Sequence, residues 1–242
     1  MIYDYGMNGL NLPICMMFNY CRITSLACCI KDGTTIAKAR QEKGDTTCKI
    51  PLTELNVNLK RNELVNAVEE LPSFLDFLAY IYFCGASISG PWYEYRDFND
   101  LINLQGDYSK GIPSTWRAAL TRYLTAWSCV AFGSFFAYFF PYKYMLTDEF
   151  DNHSLLWKIF FTCGNVKSVM YVKYMIGWCL MEVGPIAAGL GFNGYDENGQ
   201  PKFDRVKSCN IYKLETSYKV KDFLANWNMS VHHWLKHYVF LR

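Results

Sequence analysis

The chain lacks the sequence patterns that mark several common classes of protein. Its ten cysteines include no CxxC pair, so a structural zinc site is not expected, and most of them lie in apolar runs. Lys and Arg form no dominant cluster and the formal net charge is +2, which argues against nucleic acid as a partner. The start of the chain, with Asp4 and without a small-residue cleavage site, does not resemble a secretory signal peptide.

Apolar and aromatic residues are instead abundant, at 51% and 17% of the chain. The clearest apolar run is residues 123–141, "YLTAWSCVAFGSFFAYFFP", which carries no charge and is close to the roughly 20 residues that cross a bilayer as a helix. Arg117 and Arg122 flank one end of the run and Lys143 flanks the other, as is typical of the membrane interface. This run predicts a transmembrane helix and argues against a soluble enzyme.

Further stretches are apolar enough to be membrane segments. With the run above, the candidates lie near residues 12–30, 74–93, 118–142, 155–173 and 174–192. Glu182 is deep within the last segment, and because a charge is costly in lipid we expect it to face the protein interior or a polar cavity. Beside it, Gly184, Ala188 and Gly189 form a small-residue face that would let helices approach closely. The predicted fold class is all-α, a polytopic multi-helix transmembrane protein in which residues 1–242 form a single domain.

The last twenty residues, "FLANWNMSVHHWLKHYVFLR", combine histidines and asparagines with aromatic residues. His233 and His237 have the spacing of a two-histidine metal pair, but too few further ligands are present and no metal is expected. Residues 228–230 also fit the N-glycosylation pattern, which is frequent by chance. Apolar positions over 223–241 favour an amphipathic or re-entrant helix. Polar amides among so many aromatic residues would then need hydrogen-bond partners.

Five stretches resemble, in the same order, elements of the membrane-bound O-acyltransferase family. "NWNMSVHHWL", residues 226–235, resembles the signature W-N-x-x-x-x-x-W-L. The other stretches are "RITSLACCIKDG" (22–33), "YFCGASISGPWYEYRDF" (82–98), "MLTDEFDNHS" (145–154) and "GLGFNGYDENGQPKFDRVKSCNIYKLE" (189–215). They are most similar to the lysophospholipid acyltransferase branch, in particular to its lysophosphatidylcholine type. The residues around Asn228 are also similar to those of the lysophosphatidylinositol type, so the resemblance leaves the phospholipid head group open.

The resemblance implies transfer of a fatty acyl group from acyl-CoA to the sn-2 hydroxyl of a lysophospholipid. It implies two central residues, the signature asparagine, which falls on Asn228, and a histidine in a later W-H-G motif. Trp227, Trp234 and Glu182 are candidate substrate-binding residues. A neutral imidazole can accept the hydroxyl proton, and a neutral amide can orient a partner or the substrate without adding charge. Acyl-CoA would be a co-substrate, and no cofactor is expected.

No W-H-G motif occurs in the 242 residues. Because members of the family carry this motif and further membrane helices, the resemblance implies a fragment incomplete at both ends, with no acyltransferase activity of its own. The implied setting is the endoplasmic reticulum membrane, where a multi-pass protein is surrounded by membrane lipids. A non-catalytic relative that binds lipid or a partner is the alternative, and the oligomeric state stays open. An unrelated transporter would explain the apolar segments but not five ordered motifs.

Overall fold

The computed structural model describes residues 12–44, 51, 55, 57–86 and 90–242, with side chains from residue 16 onward. The α-helices are α1 (Leu12–Glu42), α2 (Arg61–Asn66), α3 (Phe74–Ile81), α4 (Tyr95–Ile102), α5 (Trp116–Phe139), α6 (Asp148–Asp151), α7 (Leu155–Val169), α8 (Ile176–Ala187), α9 (Ile211–Glu215), α10 (Val220–Asn226) and α11 (Met229–Trp234). The other helical turns are 3-10 at Gly106–Tyr108 and Tyr142–Leu146, and π at Met170–Met175 and Leu235–Phe240. These residues include no strand, which confirms the helical class.

One helical stretch in the described part of the chain is long and apolar enough to cross a membrane. It is Trp116–Leu146, which comprises α5 and the 3-10 turn after it. Only 17% of its most apolar 18 residues are buried, and Trp127 and Phe135 are both more than half exposed. The segment expected at 118–142 is therefore a helix of spanning length with an outward-facing apolar surface.

The segments expected at 155–173 and 174–192 differ from the structure, which has one uninterrupted helical run over 155–187. Helix α7 passes into the π-helical turn Met170–Met175 and then into α8 without a loop. Residues 165–176 contain no glycine or proline, so nothing in the sequence ends the helix at the expected boundary. The run ends close to Gly189, whose φ of 94° lies outside the helical region.

The segment expected at 74–93 also differs, because α3 has only eight residues. A capping box begins the helix, since the Asp76 N–H donates to the Ser73 hydroxyl at 3.2 Å and the Ser73 N–H donates to the Asp76 carboxylate at 3.3 Å. Gly85 and then Gly90 with Pro91 follow, and such residues favour turns over helix. At about 1.5 Å per residue, α3 is far too short to cross a bilayer.

Helix α1 extends the segment expected at 12–30 to Glu42 and carries a fully buried arginine. The Arg22 guanidinium donates to the carbonyl oxygens of Ile81 at 3.0 Å and Ala86 at 2.9 Å. It also lies over the Tyr93 ring, 4.8 Å from the centroid. The arginine thus ties α1 to the loop after α3, which explains how a cation is accommodated in an apolar segment.

Three buried clusters hold the helices together. The first joins α3, α4 and the loop after α8 around Tyr80 and Phe192. The second joins α5, α8, the loop 208–210 and α9 around Cys179 and Leu214. The third packs the end of the chain onto α1 through Trp234. The last helices are therefore part of the folded core and lie against the first one.

Helix α8 contacts the loop after α3 at a pair of glycines. A Cβ atom on Gly184 would lie 2.3 Å from the Gly85 carbonyl oxygen, and one on Gly85 would lie 3.2 Å from the Ala188 Cβ. Real Cβ atoms do not tolerate the first of these distances, so position 184 requires glycine. The close approach expected at Gly184 and Ala188 is present, but its partner is the loop after α3 and not another helix, and Gly189 lies beyond the end of α8.

Candidate active site

Asn228 lies at a break between two helices. Helix α10 ends at Asn226, α11 begins at Met229, and Trp227 between them is extended. Asn228 has φ 47° and ψ 54°, a left-handed conformation that asparagine tolerates better than most non-glycine residues. The single helix expected over 223–241 is therefore interrupted, and the asparagine provides the left-handed residue that the interruption needs.

A loop at 208–210 runs beside this break and is bonded to it. The Met229 N–H donates to the Ser208 carbonyl oxygen at 2.7 Å, and the Asn210 N–H donates to the Asn226 carbonyl oxygen at 3.3 Å. The Asn210 side chain also accepts from the Lys213 N–H at the start of α9. Because the break leaves backbone groups without helical partners, these bonds stabilise it.

Glu182 fixes this loop from the side of α8. Its carboxylate accepts from the Ser208 N–H at 2.6 Å and from Arg122 Nε and Nη2 at 2.6 and 2.8 Å. Arg122 Nη2 also reaches the Cys209 carbonyl oxygen at 3.2 Å. Glu182 is only 2% exposed, which confirms that it faces the protein interior. Both carboxylate oxygens are engaged within the protein, so the geometry gives Glu182 a positioning role, and its predicted contact with substrate stays a prediction.

The two tryptophans of the signature belong to different clusters. Trp227 packs at right angles to Trp178, with ring centroids 4.6 Å apart, and stacks on Phe223 at 5.6 Å. Trp234 is 9% exposed and meets the Tyr20 ring of α1 edge-on at 6.1 Å. They anchor the two sides of the break at Asn228, while direct contact of either with substrate stays a prediction.

Unpartnered polar atoms concentrate around the break. Five buried side-chain nitrogen or oxygen atoms of the described residues lack a hydrogen-bond partner, and four of them lie at positions 208–234. They are Ser208 Oγ, Asn228 Oδ1, Ser230 Oγ and Trp234 Nε1. Leaving such a group unsatisfied costs about 1–3 kcal/mol, so a fold retains several together only for a reason. The two serines, like the pairing of Arg122 with Glu182, were missed in the sequence because no characteristic spacing marks them.

A second buried polar cluster surrounds Glu94 at the start of α4. Its carboxylate accepts from Asn66 Nδ2 at 3.0 Å and from the Tyr238 hydroxyl at 2.5 Å. The Tyr238 hydroxyl is also 3.3 Å from Cys29 Sγ. Burial raises the pKa of Glu94 from 4.5 to about 8, against the lowering effect of the Tyr238 hydrogen bond. The Glu94 side chain thus links the start of α4 to α2 and to the end of the chain, and Tyr238 extends the cluster to α1.

The histidines of the terminal stretch are involved in ring packing. The rings of His233 and His237 are 4.3 Å apart, and His233 stacks on Trp92 at 5.5 Å. Within the described residues no group of three His, Cys, Asp or Glu side chains is placed to hold a metal ion. Outside this stretch, His153 Nε2 is hydrogen bonded to the Tyr144 hydroxyl at 2.9 Å. No described contact brings the imidazole of His153, His233 or His237 to Asn228, and His232 meets it through the backbone, where the His232 N–H donates to the Asn228 carbonyl oxygen at 2.9 Å.

Comparison with known proteins identifies the family. The family model of the membrane-bound O-acyltransferases matches residues 14–242, and the chain therefore belongs to that family. The break at Asn228, the loop that supports it and the Arg122–Glu182 pair all lie within the matched region.

Several relatives are lysophospholipid acyltransferases. Lysophospholipid acyltransferase 6 of Drosophila melanogaster is 25% identical over 100% of this chain and 33% of its own length. Lysophospholipid acyltransferase of Schizosaccharomyces pombe is 28% identical over 99% of this chain and 45% of its own length. Human lysophospholipid acyltransferase 5 is 28% identical over 73% of this chain and 36% of its own length. The chain thus spans less than half the length of these relatives.

Proposed function

We propose that the chain is part of a multi-pass enzyme of the endoplasmic reticulum membrane that transfers a fatty acyl group from acyl-CoA to the sn-2 hydroxyl of a lysophospholipid. One observation carries this proposal. In a chain of this family, the signature residue Asn228 sits at a built break between helices, with its Oδ1 buried and without a partner. A buried amide oxygen held ready in this way is suited to accept a hydrogen bond from a substrate hydroxyl or from a catalytic partner.

The reaction proceeds by attack of the lipid hydroxyl oxygen on the thioester carbonyl carbon. A new O–C ester bond forms, the C–S bond breaks, and the proton passes from the hydroxyl to a general base and then to the departing CoA thiolate. In this scheme Asn228 orients the hydroxyl or the base without changing charge. The general base is the histidine of a W-H-G segment, a motif that these 242 residues do not contain. No metal or organic cofactor takes part in these steps.

The exposed surface of α5 supports a membrane setting. Trp127, Phe135 and Tyr138 are 53%, 58% and 80% exposed, and all three lie on the helix of spanning length. Transfer of the apolar ring surface of such side chains from water to lipid is favourable, and Trp and Tyr are enriched at membrane interfaces. A lysophospholipid substrate would share this bilayer, so it could approach the site laterally.

A non-catalytic lipid-binding role is the second candidate. The observation that favours it is the placement of the histidines, since His153 is bonded to Tyr144 and His233 is stacked on Trp92. Neither of these contacts brings an imidazole to Asn228 as a base. Binding of lysophospholipid by the protein without turnover would support this role over the enzymatic one.

The test compares two products expressed in microsomes that lack endogenous acyltransferase. One is the 242-residue chain, and the other is the longest transcript product that contains it. With radiolabelled oleoyl-CoA and lysophosphatidylcholine, lysophosphatidylserine and lysophosphatidylinositol in competition, we expect turnover only from a product that includes a W-H-G segment. Asn228→Ala should lower that turnover about a hundredfold, because a positioned group contributes rate factors of that order.

The control is Asn152→Ala, which removes the other asparagine that fits the glycosylation pattern, on an exposed residue after α6. It should leave turnover unchanged. A longer product without any W-H-G segment and without turnover would contradict the enzymatic proposal.

A further inference from the structure

Three of the unpartnered buried side-chain atoms belong to residues at or next to a single backbone contact. That contact is the hydrogen bond from the Met229 N–H to the Ser208 carbonyl oxygen. Ser208 carries one of the atoms, and Asn228 and Ser230, on either side of Met229, carry the other two. Ser208 is 1% exposed and Ser230 is 7% exposed, so water does not satisfy them from the surface. Three buried polar groups without hydrogen-bond partners thus lie together at this junction, the contact between residue 208 and residues 228–230. Such a concentration indicates a ligand that supplies the partners.

The chemistry of the three groups defines that ligand. Asn228 Oδ1 can only accept a hydrogen bond, whereas each serine hydroxyl can donate one. The complementary molecule therefore carries a hydroxyl donor with acceptor oxygens close to it on either side. A lysophospholipid has this pattern, because its free glycerol hydroxyl lies between an ester carbonyl and a phosphodiester.

Building on the proposed function, we infer that Ser208 and Ser230 bind the glycerol backbone of the lysophospholipid beside Asn228. The Asn228 Oδ1 accepts from the free hydroxyl, and the serine hydroxyls donate to the neighbouring ester and phosphodiester oxygens. The two serines are binding residues that hold the lipid in register, and they exchange no proton with it.

The surrounding contacts make the junction both rigid and reachable. The Ser208 N–H is bonded to Glu182, whose other partner is Arg122, so the Ser208 backbone is held from α5 and α8. Residues 226–229 are each half-buried, so a lipid can reach the junction along this side after small side-chain shifts. A rigid backbone with an accessible edge holds the three groups in a fixed pattern before the lipid arrives.

Thermal unfolding of the ligand-free chain in lipid nanodiscs provides the first test. Ser208→Ala and Ser230→Ala remove hydroxyls that have no partner, so we expect the unfolding temperature to stay the same or to rise. The matched control is Ser25→Ala, because the buried Ser25 hydroxyl donates to the Arg22 carbonyl at 3.0 Å and accepts from Trp92 Nε1 at 3.1 Å. That variant should unfold at a lower temperature. Destabilisation by Ser208→Ala equal to that of Ser25→Ala would overturn the inference.

Binding in the same nanodiscs provides the second test, with 1-palmitoyl-lysophosphatidylcholine and its analogue that lacks the free hydroxyl. Wild type should bind the hydroxyl-bearing lipid about tenfold more tightly, the effect of one good hydrogen bond. Each serine variant should lower the affinity for both lipids by about threefold to tenfold and keep the ratio of the two affinities. Asn228→Gly should instead bind both lipids with the same affinity.

The outcomes separate the two proposals. Wild type that binds neither lipid would contradict the proposed function itself. Wild type that binds both lipids, with serine variants whose affinities stay within about twofold, would leave the proposed function standing and overturn the role of the serines.

Discussion

At the scale of single residues, the left-handed backbone conformation of Asn228 costs free energy. Its φ of 47° is one of two positive values on non-glycine residues in the described part of the chain. A left-handed conformation costs an ordinary L-residue roughly 1–2 kcal/mol and costs glycine almost nothing. Backbone strain of this kind is concentrated at functional sites, where it places a side chain in a required direction.

Two substitutions separate the effect of the backbone conformation at position 228 from the effect of the side-chain amide. We expect Asn228→Gly to unfold at about the wild-type temperature, because glycine adopts the same φ without strain. Asn228→Ala should be less stable by about 1 kcal/mol, since alanine lacks the tolerance of asparagine for this region. Denaturant or thermal unfolding in detergent measures the difference. Equal stability of the alanine and glycine variants would show that the left-handed conformation is not maintained in solution.

Glu94 predicts a dependence of stability on pH. Because burial raises its folded-state pKa from 4.5 to about 8, the folded protein retains a proton that the unfolded chain releases between these values. The free energy of unfolding should therefore fall as the pH rises from about 4.5 to about 8. Glu94→Gln replaces the titrating carboxyl group by an amide that does not titrate. The free energy of unfolding should then change less with pH in this range.

The measurement is the unfolding temperature between pH 5 and pH 8 in a single buffer series. Glu70→Gln on the exposed loop before α3 is the control and should leave the profile as in wild type. A Glu94→Gln profile as steep as that of wild type would place the responsible proton on another group.

At the scale of helices, the contact of α8 with the loop after α3 depends on Gly184. A Cβ atom at this position would overlap the Gly85 carbonyl oxygen, so Gly184→Ala should destabilise the fold by about 1–3 kcal/mol. Gly177→Ala in the same helix is the matched control, because a Cβ there meets no atom within 4 Å. It should be neutral or slightly stabilising through its higher helix propensity. Thermal unfolding of the two variants side by side tests the contact, and equal effects would contradict it.

The same helices show what the sequence could and could not predict. The run around α5 was predicted because an uncharged apolar stretch of spanning length has few alternative conformations. The continuity of α7 and α8 was missed because Lys158 and Lys167 broke the apolar pattern, although both are on the helix. The break at Asn228 was missed because apolar periodicity continues across it, while the conformation of a single residue depends on its tertiary contacts.

Contacts between residues far apart in the chain could also not be predicted from the sequence. Arg122 was assigned to the membrane boundary by its place beside an apolar run, yet it bonds Glu182, sixty positions further on. The buried location of Glu182 could be predicted because burial follows from the cost of a charge in lipid. Its partner could not, because several cations flank the apolar segments and only the packing of α5 on α8 selects one.

At the scale of the whole molecule, α5 should determine how the chain enters a membrane. Trp127 lies near the middle of the helix and is 53% exposed, so an arginine there would face lipid. The cost of a charge at a helix centre is about 2.5–3.5 kcal/mol on insertion scales. Trp127→Arg should therefore lower the fraction of α5 that inserts into microsomes, as reported by glycosylation tags on either side of the helix.

The control for this prediction is Tyr142→Arg, which places the same charge on an exposed residue just beyond α5. Because a cation at the end of a helix can reach the headgroups, insertion should remain close to wild type. Equal insertion of both variants and the wild type would contradict the assignment of α5 as a membrane helix.

The π-helical turn at Met170–Met175 has a consequence for how this chain tolerates insertions and deletions. A π turn accommodates an additional residue within a helix, so the two ends of the run 155–187 are out of step with a regular α-helix. Loss of one residue within the turn would restore regular α-helix and leave α7 and α8 in register, whereas loss of one residue between the turn and Glu182 would rotate Glu182 by about 100° relative to α7. Glu182 would then turn away from Arg122, and the support of the Asn228 junction would be lost without any change in the residues that form it. The spacing between α7 and Glu182 is thus as much a requirement of the site as the identity of its side chains.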